Sequence, residues 1–263
     1  YNYKIMKAVI LAGGFGTRIS EESGIRPKPM VEIGGKPILW HIMKHLSHYG
    51  INDFVILCGY KSHMIKDFFA NYHLYKADIT FDLATHSNLI HKNGAENWKV
   101  TLLETGENTM TGGRIKKAQA YLGNETFLLT YGDGVSDVDV SKLIEAHNTN
   151  KNLATVTAVQ PGGRFGVLSF KGGSPKVSGF REKDQNDGGW INGGFMIVDP
   201  KMLDLIEDDQ TVFEQGPMKT IAQMGKLQAY FHNGFWQCMD TLRDKNLLES
   251  LWNAGKAPWK VWE

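Results

Sequence analysis

The chain has few cysteines, almost no charge imbalance and no long apolar run, and each absence excludes a class of protein. Only Cys58 and Cys238 occur in 263 residues, far apart, which excludes a disulfide scaffold and suits a reducing cytosol. A formal net charge of +1 lacks the basic footprint of a nucleic-acid binder. The apolar stretches are shorter than the ~20 residues that span a membrane and too short for a signal-peptide core. We expect a soluble, cytoplasmic protein with no nucleic-acid or membrane partner.

A glycine-rich segment follows the first apolar run, residues 6–12, whose Val, Ile and Leu content predicts a buried parallel strand. The glycines at 13–16 let the backbone turn sharply and present bare N–H groups to an anion. Arg18 adds a fixed positive charge, and Lys28 lies between two prolines that restrict the backbone on both sides. The segment therefore predicts a cradle for a polyphosphate.

Three other motifs with similar glycines fit this segment less well. A dinucleotide-binding fingerprint needs a third glycine where Ile19 stands, and a P-loop needs a terminal Gly-Lys-Ser/Thr that is absent. An ordinary strand-to-helix turn explains a Gly-Gly pair alone. It does not explain the Arg and the proline-flanked Lys that follow.

Strands alternate with helices through the first part of the chain. Strands are predicted at 6–12, 52–58, 79–83, 100–103 and 127–131, and helices at 37–49, 64–72 and 111–122. This alternation predicts an α/β fold with a doubly wound, mostly parallel central sheet. Ligands gather at the carboxyl ends of the strands in such sheets, where the glycine segment and Asp133 would both lie.

After residue 150 short strands at 154–159, 166–170, 176–180 and 195–198 are separated by glycine-rich turns. They predict a smaller, β-rich lobe that extends the same sheet as a mixed one. An amphipathic helix is predicted at 240–252, followed by a tryptophan-rich tail that we expect to pack within the chain or between chains. We expect one domain over 1–263, with a nucleotide part at about 6–150 and a sugar-binding lobe at about 151–263.

Two aspartates are candidates for a magnesium site. Asp133 stands between glycines after a buried strand, and Asp240 precedes the final helix. An EF-hand around Asp133 is excluded, because Val135 and Val138 occupy positions that need a ligand and a glycine. A plain helix N-cap remains the alternative for Asp240.

Three histidines share one face of the helix predicted at 37–49. The spacing of His41, His45 and His48 allows a zinc site. Since no fourth ligand stands nearby and Lys44 is interleaved, a solvated helix face is the preferred interpretation.

The sequence Leu-Ala-Gly-Gly-Phe-Gly-Thr-Arg at 11–18, followed by Pro-Lys-Pro at 27–29, resembles the hallmark of the sugar nucleotidyltransferases. The resemblance runs nearly from Met6 to Glu263 and implies the fold type of nucleotide-diphospho-sugar transferases, with Arg18 and Lys28 as catalytic residues. It also implies a shared Mg²⁺ on Asp133 and Asp240. The implied nucleotide-binding residues are Leu11, Ala12, Gly13, Gly14, Phe15, Gly16, Thr17, Arg18, Lys28, Thr109, Gly112, Gly113, Arg114 and Gly132.

The resemblance also places the sugar phosphate. Phe-Arg-Glu-Lys at 180–183 and Asn-Gly-Gly at 192–194 align with family segments and imply Glu182, Lys183, Asn192 and Gly193 as sugar-phosphate-binding residues. Asp184 stands where the family commonly has proline. Without the resemblance these would be ordinary charged turn residues.

Several stretches, such as Met-Thr-Gly-Gly-Arg at 110–114 and Phe-Trp-Gln at 235–237, resemble the cytidylyl-transferring branch of this family. The implied partners are CTP and glucose 1-phosphate, giving CDP-glucose and pyrophosphate, in a homo-oligomer. The alternatives are a uridylyl- or thymidylyltransferase, a non-catalytic sensor of nucleotide or sugar phosphate, and a nicotinamide-dependent dehydrogenase. The missing third glycine disfavours the dehydrogenase.

Overall fold

A seven-stranded sheet forms the centre of the protein. The computed structural model describes residues 6–16, 24–149, 152–161 and 189–263, together with the backbone of 167–170 and 177–181. The described strands are β1 Lys7–Ala12, β2 Glu32–Ile33, β3 Lys36–Pro37, β4 Asp53–Cys58, β5 Ala77–Asp82, β6 Ser87–Asn93, β7 Lys99–Glu104, β8 Phe127–Tyr131, β9 Gly134–Ser136, β10 Ala154–Val159, β11 Val167–Phe170, β12 Val177–Arg181, β13 Ile191–Val198, β14 Leu227–His232 and β15 Trp236–Cys238.

The central sheet has the order β14-β10-β13-β8-β1-β4-β7. β8, β1, β4 and β7 are parallel to one another, and β10 is parallel to β14. β13 runs antiparallel to both β10 and β8. The predicted mixed, mostly parallel sheet is confirmed.

Helices cover both faces of this sheet, as the doubly wound prediction requires. They are α1 Ile38–His48, α2 Ser62–Ala70, α3 Tyr72–Tyr75, α4 Thr111–Lys117, α5 Gln119–Leu122, α6 Val140–Thr149, α7 Pro217–Gln223 and α8 Leu242–Asn253. In the described part of the chain, no helix has the length and apolar character needed to cross a bilayer.

The apolar core divides into two layers because alternate residues of a strand point to opposite faces. In β1, Ala8 and Ile10 pack in one layer with α1, whereas Val9 and Leu11 pack in the other with α4 and α7. Since β1 is buried on both faces, its sequence is a continuous apolar run and not an alternating one.

Two predictions about the strands need correction. No strand was predicted after 79–83 in this region, but β6, which contains His91, pairs with β5, and His86 lies in the turn between them. The strands predicted at 166–170 and 176–180 pair with each other as β11 and β12 in a separate two-stranded sheet and do not extend the central one. A solvated hairpin carries polar residues on both faces, so its apolar pattern is weak.

The tryptophan-rich tail packs within the chain. Trp259 is 1% exposed and stacks on Phe235 and Trp252. The tail therefore closes over α1 from the same chain, and the expected homo-oligomer stays a prediction.

Candidate active site

The carboxyl ends of β1, β4, β7 and β8 lie at one edge of the sheet, because these four strands are parallel. The glycine segment leaves β1 there, and Gly132 and Asp133 leave β8. β13 begins at the same edge, since it is antiparallel to β8. The topology thus brings together described residues that were predicted to bind nucleotide, metal and sugar phosphate.

A short antiparallel ladder brings the two candidate metal ligands together. β9 pairs with β15, so that Gly134 lies opposite Cys238. The backbone N–H of Met239 donates to the carbonyl of Asp133 over 2.8 Å. Asp133 and Asp240 therefore converge although they are far apart in the sequence.

Lys28 lies between these carboxylates. Its Nζ is 2.6 Å from an oxygen of Asp133 and 2.6 Å from an oxygen of Asp240. Burial lowers the pKa of the ammonium, but the charge of Asp133 and the hydrogen bonds to both carboxylates outweigh burial and raise that pKa above its usual value. Lys28 is thus a positioned cation, as predicted, although it is buried and not on an open loop.

Gly132 fixes the position of the Lys28 turn against the sheet. A Cβ at Gly132 would lie 2.9 Å from the carbonyl oxygen of Leu11 and 3.0 Å from Cγ of Pro29, so only glycine fits. The N–H of Gly132 donates to that same carbonyl over 2.9 Å. The short helical turn Lys28–Met30 is therefore packed directly under the end of β8.

Asp240 does not cap the final helix. The N-cap of α8 is Thr241, whose hydroxyl accepts from the N–H of Asp244 while the Asp244 carboxylate accepts from the N–H of Thr241. This reciprocal capping box removes the alternative explanation for Asp240, whose carboxylate accepts from Lys28 instead.

Asp133, Cys238 and Asp240 form the group that could hold a metal among the residues the structure describes; their candidate ligand atoms lie within 4.8 Å of one another. The two negatively charged carboxylates favour a positively charged ligand, as their contacts with the Lys28 ammonium show. Carboxylate oxygens are also the donors that a hard divalent ion such as Mg²⁺ prefers. Burial raises the pKa of the Cys238 thiol, which therefore stays protonated and is a poor ligand for such an ion. The donor set fits a divalent metal on the two aspartates.

A cavity of about 580 Å³ lies on one side of this centre, within the usual range for ligand sites. Most of the predicted nucleotide-binding residues that the structure describes line it: Leu11, Ala12, Gly13, Gly14, Phe15, Gly16, Lys28, Thr109, Arg114 and Gly132. Asp133 and Tyr131 also reach it. The structure thus assembles one cavity from segments after β1, β7 and β8.

Arg114 supports the floor of this first cavity. Its guanidinium donates to the hydroxyl of Thr105 over 2.6 Å and to the carbonyls of Gly106 and Glu107 over 2.7 and 3.0 Å. A Cβ at Gly13 would lie 2.2 Å from this guanidinium, which explains the glycine there. Arg114, one of the implied nucleotide-binding residues, lines the cavity and also holds the loop after β7 in place.

Gly112 and Gly113, two of the implied nucleotide-binding residues, pack against a neighbouring segment of the chain. The N–H of Gly112 donates to the carbonyl of Thr211, and a Cβ at Gly113 would lie 2.5 Å from Cα of Asp209. Both glycines allow α4 to pack closely against the segment at 208–211. Their place in the described structure is against this segment and not along the cavity wall.

A second cavity of about 230 Å³ lies on the other side of Asp133. The residues that line it include Asn192 and Gly193, both predicted for the sugar phosphate, and also Asp133, Asp240 and Cys238. The indole N–H of Trp236 donates to the carbonyl of Gly193 over 2.7 Å and fixes that wall. Tyr131 lines both cavities.

Four predicted site residues lie outside the described residues. They are Thr17 and Arg18 of the glycine segment, and Glu182 and Lys183 of the sugar segment.

The solvated-face interpretation of the α1 histidines is wrong for two of them. His41 is 0% and His45 2% exposed, and burial lowers the pKa of each imidazole to about 4. The Trp259 indole N–H donates to Nδ1 of His41, so Nε2–H donates to the carbonyl of Ile33 over 2.8 Å. The C-terminal tail buries this face, which the helix pattern alone does not reveal.

Three contributors were missed by sequence reasoning. Cys238 touches the metal centre, and its place two residues before Asp240 was an available signal. Tyr131, directly before Gly132-Asp133, offered the same kind of signal. Glu214, which binds Tyr131, offered none, because its partners are distant in sequence.

Known proteins resemble this chain over nearly its whole length. Residues 7–249 match the family described as Nucleotidyl transferase. The chain is 55% identical to the glucose-1-phosphate cytidylyltransferase of Salmonella typhimurium, covering 98% of this chain and 100% of the relative. It is 47% identical to a probable glucose-1-phosphate cytidylyltransferase of Bacillus subtilis, covering 98% and 100%.

Solved structures agree on the fold. HddC from Yersinia pseudotuberculosis, complexed with GMP-PN, superposes with a TM-score of 0.66 at 25% identity, covering 94% of this chain and 99% of that one. A putative glucose-1-phosphate thymidylyltransferase from Bacillus anthracis gives a TM-score of 0.69 at 19% identity, covering 98% and 97%. The chain belongs to the nucleotidyl transferase family.

Proposed function

We propose that this protein forms CDP-glucose and pyrophosphate from CTP and α-D-glucose 1-phosphate. The observation that carries the proposal is the meeting of two cavities at Asp133, with the Lys28 ammonium between Asp133 and Asp240. The first cavity takes the nucleotide, and the second takes the sugar phosphate. The 55% identity to the Salmonella enzyme supports the choice of cytidylyl transfer and of glucose 1-phosphate.

The reaction is an in-line displacement at phosphorus. A phosphate oxygen of glucose 1-phosphate attacks the α-phosphorus of CTP; a new P–O bond forms, the bond between the α-phosphorus and its bridging oxygen breaks, and pyrophosphate leaves with that electron pair. Because the nucleophile is already an anion, the step needs no general base. Catalysis therefore consists of alignment and charge stabilisation.

Each site residue that the structure describes has a role that follows from its position relative to the two cavities. Lys28 acts as the cation at the α-phosphate, since it lies where the two cavities join. Asp133 and Asp240 would hold Mg²⁺, which would offset the negative charge of the two substrates. Arg18 neutralises the departing pyrophosphate, Lys183 and Glu182 bind the sugar phosphate, and Asn192 and Gly193 line its cavity; these assignments rest on the family resemblance and, for the last two, on the second cavity.

The division of the chain follows the same scheme. Residues of about 6–150 form the nucleotide part, and residues of about 151–263 contribute the sugar-binding lobe and the final helix. The strands of both parts share one sheet, which supports a single domain.

The first prediction concerns the base. Cytosine offers an N4 donor where uracil offers an acceptor. A cavity wall whose polar groups pair with cytosine leaves a hydrogen-bonding group unpaired when uracil binds, at a cost of about 1–3 kcal/mol. This corresponds to a discrimination of roughly 5- to 150-fold between CTP and UTP. Pyrophosphate release should be measured with CTP, UTP, dTTP and GTP in turn, each with glucose 1-phosphate and Mg²⁺, and with glucose 6-phosphate as the matched sugar control.

We expect CTP with glucose 1-phosphate to give the highest kcat/KM, and CDP-glucose to be the product by mass. Equal or faster turnover with UTP or dTTP would replace the cytidylyl assignment by a uridylyl- or thymidylyltransferase. No pyrophosphate with any of the four nucleotides, from protein that still binds them, would identify a sensor.

A further inference from the structure

The carboxylate of Glu214 accepts hydrogen bonds from two residues of the site, Tyr131 and Thr111. One oxygen accepts from the hydroxyl of Tyr131 over 2.5 Å, and the other accepts from the hydroxyl of Thr111 over 2.7 Å. Glu214 lies in the turn before α7, whereas its two partners belong to the end of β8 and the start of α4. One side chain therefore joins three separate segments.

Both partners of Glu214, Thr111 and Tyr131, line the cavities of the site. Thr111 lines the first cavity, and Tyr131 lines both the first and the second. The Tyr131 hydroxyl also accepts from the amide of Asn192 over 3.3 Å, and Asn192 lines the second cavity. A continuous chain of hydrogen bonds thus runs from one cavity to the other through Glu214.

Each partner is held in one orientation. The Thr111 hydroxyl donates to Glu214 and accepts from the N–H of Phe213 over 2.9 Å. The Tyr131 ring packs against the backbone of Gly194, where a Cβ would lie 2.9 Å from the ring. The Tyr131 ring is held against Gly194, and its hydroxyl both donates to Glu214 and accepts from Asn192. Tyr131 therefore has little freedom to rotate.

We infer that Glu214 is a positioning residue that sets the distance and angle between the nucleotide wall and the sugar wall. It does so through Thr111 on one side and Tyr131 on the other. The inference rests on the proposed function, because it gives the pair of cavities the task of aligning two substrates.

The expected signature is a loss of rate without a loss of binding. Each substrate still meets an intact wall when the link between the walls is loosened, so each binds nearly as before. The in-line geometry depends on the relation between the walls, and a small misplacement costs from several-fold to about 100-fold in rate. A residue that merely stabilised the fold would lower the melting temperature and leave the rate of the folded protein unchanged.

Tyr131→Phe and Glu214→Gln test this with minimal change of shape. The parent, both single variants, the double variant and the exposed matched control Glu207→Gln are compared by rapid-quench single turnover with CTP, glucose 1-phosphate and Mg²⁺. The dissociation constants of CTP and of glucose 1-phosphate, each alone, are measured by calorimetry. Single turnover removes any masking by slow product release.

We expect each single variant to lose roughly tenfold in the single-turnover rate constant, with both dissociation constants within about threefold of the parent. The double variant should be no slower than about threefold below the slower single variant, because both changes cut one link. Glu207→Gln should match the parent.

The inference is overturned if the variants keep the parent rate, if their rate losses multiply in the double variant, or if they lose binding of one substrate at unchanged rate. Should Glu214→Gln fail to fold, Tyr131→Phe alone decides by the same criteria. A parent that forms no nucleotide sugar overturns the proposed function itself, whereas an active parent with unaffected variants overturns only this inference.

Discussion

Lys28 lies between the two carboxylate oxygens that we propose as ligands of a divalent cation. In the structure the ammonium lies 2.6 Å from carboxylate oxygens of both Asp133 and Asp240, and Lys28 as a residue is 7% exposed. Two carboxylates this close repel each other unless a positive charge separates them. The Lys28 ammonium therefore neutralises the two carboxylates in this structure, and under the proposed function it is also the cation for the α-phosphate.

Replacing Lys28 should separate these two roles. We expect Lys28→Ala to lower kcat by roughly two to three orders of magnitude, as for the loss of one charge partner in the transition state. Its melting temperature should rise more on addition of Mg²⁺ than that of the parent, because the variant lacks the competing ammonium. Steady-state kinetics and thermal unfolding check the two parts.

Lys66→Ala is the matched control, since Lys66 forms an exposed ion pair with Glu104 outside the site. It should leave both kcat and the Mg²⁺-dependent shift unchanged. A folded Lys28→Ala with near-normal turnover would contradict the assigned role of Lys28.

At the scale of single elements, α8 shows how the structure resolves an ambiguity that the sequence leaves open. An aspartate before a helix is an N-cap in many proteins. Here the chain offers Asp240 and Thr241 in succession, and the capping box assigns the cap to Thr241 and Asp244. Two neighbouring residues therefore have separable functions.

We expect Thr241→Ala to lower the free energy of unfolding by about 1 kcal/mol, the usual cost of a lost cap, with kcat within a few-fold of the parent. Asp240→Asn should do the opposite and lose activity at nearly constant stability. Denaturant unfolding and pyrophosphate release on both variants check this exchange. A larger loss of stability in Asp240→Asn than in Thr241→Ala would return Asp240 to a capping role.

The α1 helix and the C-terminal tail form a second coupled pair. His41 is neutral in the folded protein, because burial lowers its pKa from 6.5 to about 4, and its ring bonds to both Ile33 and Trp259. In the unfolded chain the same imidazole takes up a proton as the pH falls through 6.5. The stabilisation is thus complete above pH 6.5 and is lost progressively between pH 6.5 and about 4.

At pH 5 this loss amounts to about 2 kcal/mol for His41. The difference in the free energy of unfolding between pH 7 and pH 5 should therefore be smaller in His41→Gln than in the parent by about that amount. His48→Gln, an exposed position on the same helix, is the control and should leave the difference unchanged. An unchanged difference in His41→Gln would contradict the buried, neutral assignment.

At the scale of the whole molecule, the sequence predicts best what is encoded locally. The strand at 154–159 coincides with β10, because the run is too short for a helix and rich in the β-branched residues Thr and Val. The glycine segment, Lys28 and Asp133 were found because glycine, proline and charge stand next to each other in sequence. Their convergence with Asp240 was implied only by the resemblance, and it depends on the β9–β15 pairing.

What the sequence could not reveal depends on contacts between distant segments. The burial of His41 depends on Trp259, and the role of Glu214 depends on Thr111 and Tyr131. Strand β6, and with it the pairing partner of β5, was missed because its exposed residues form no apolar face. Periodicity reports which face of an element is apolar, but not which other segment comes to cover it.

The central claim is that Asp133 and Asp240 serve one divalent cation at the junction of the two cavities. The measurement that tests it most directly is kcat/KM for CDP-glucose formation by Asp133→Ala, Asp240→Ala and the double variant, with Mn²⁺ binding to each followed by electron paramagnetic resonance. The account predicts that either single change abolishes turnover and Mn²⁺ binding, and that the double variant is little worse than either, because both carboxylates hold the same ion. Retained Mn²⁺ binding and activity in a folded Asp240→Ala would contradict it.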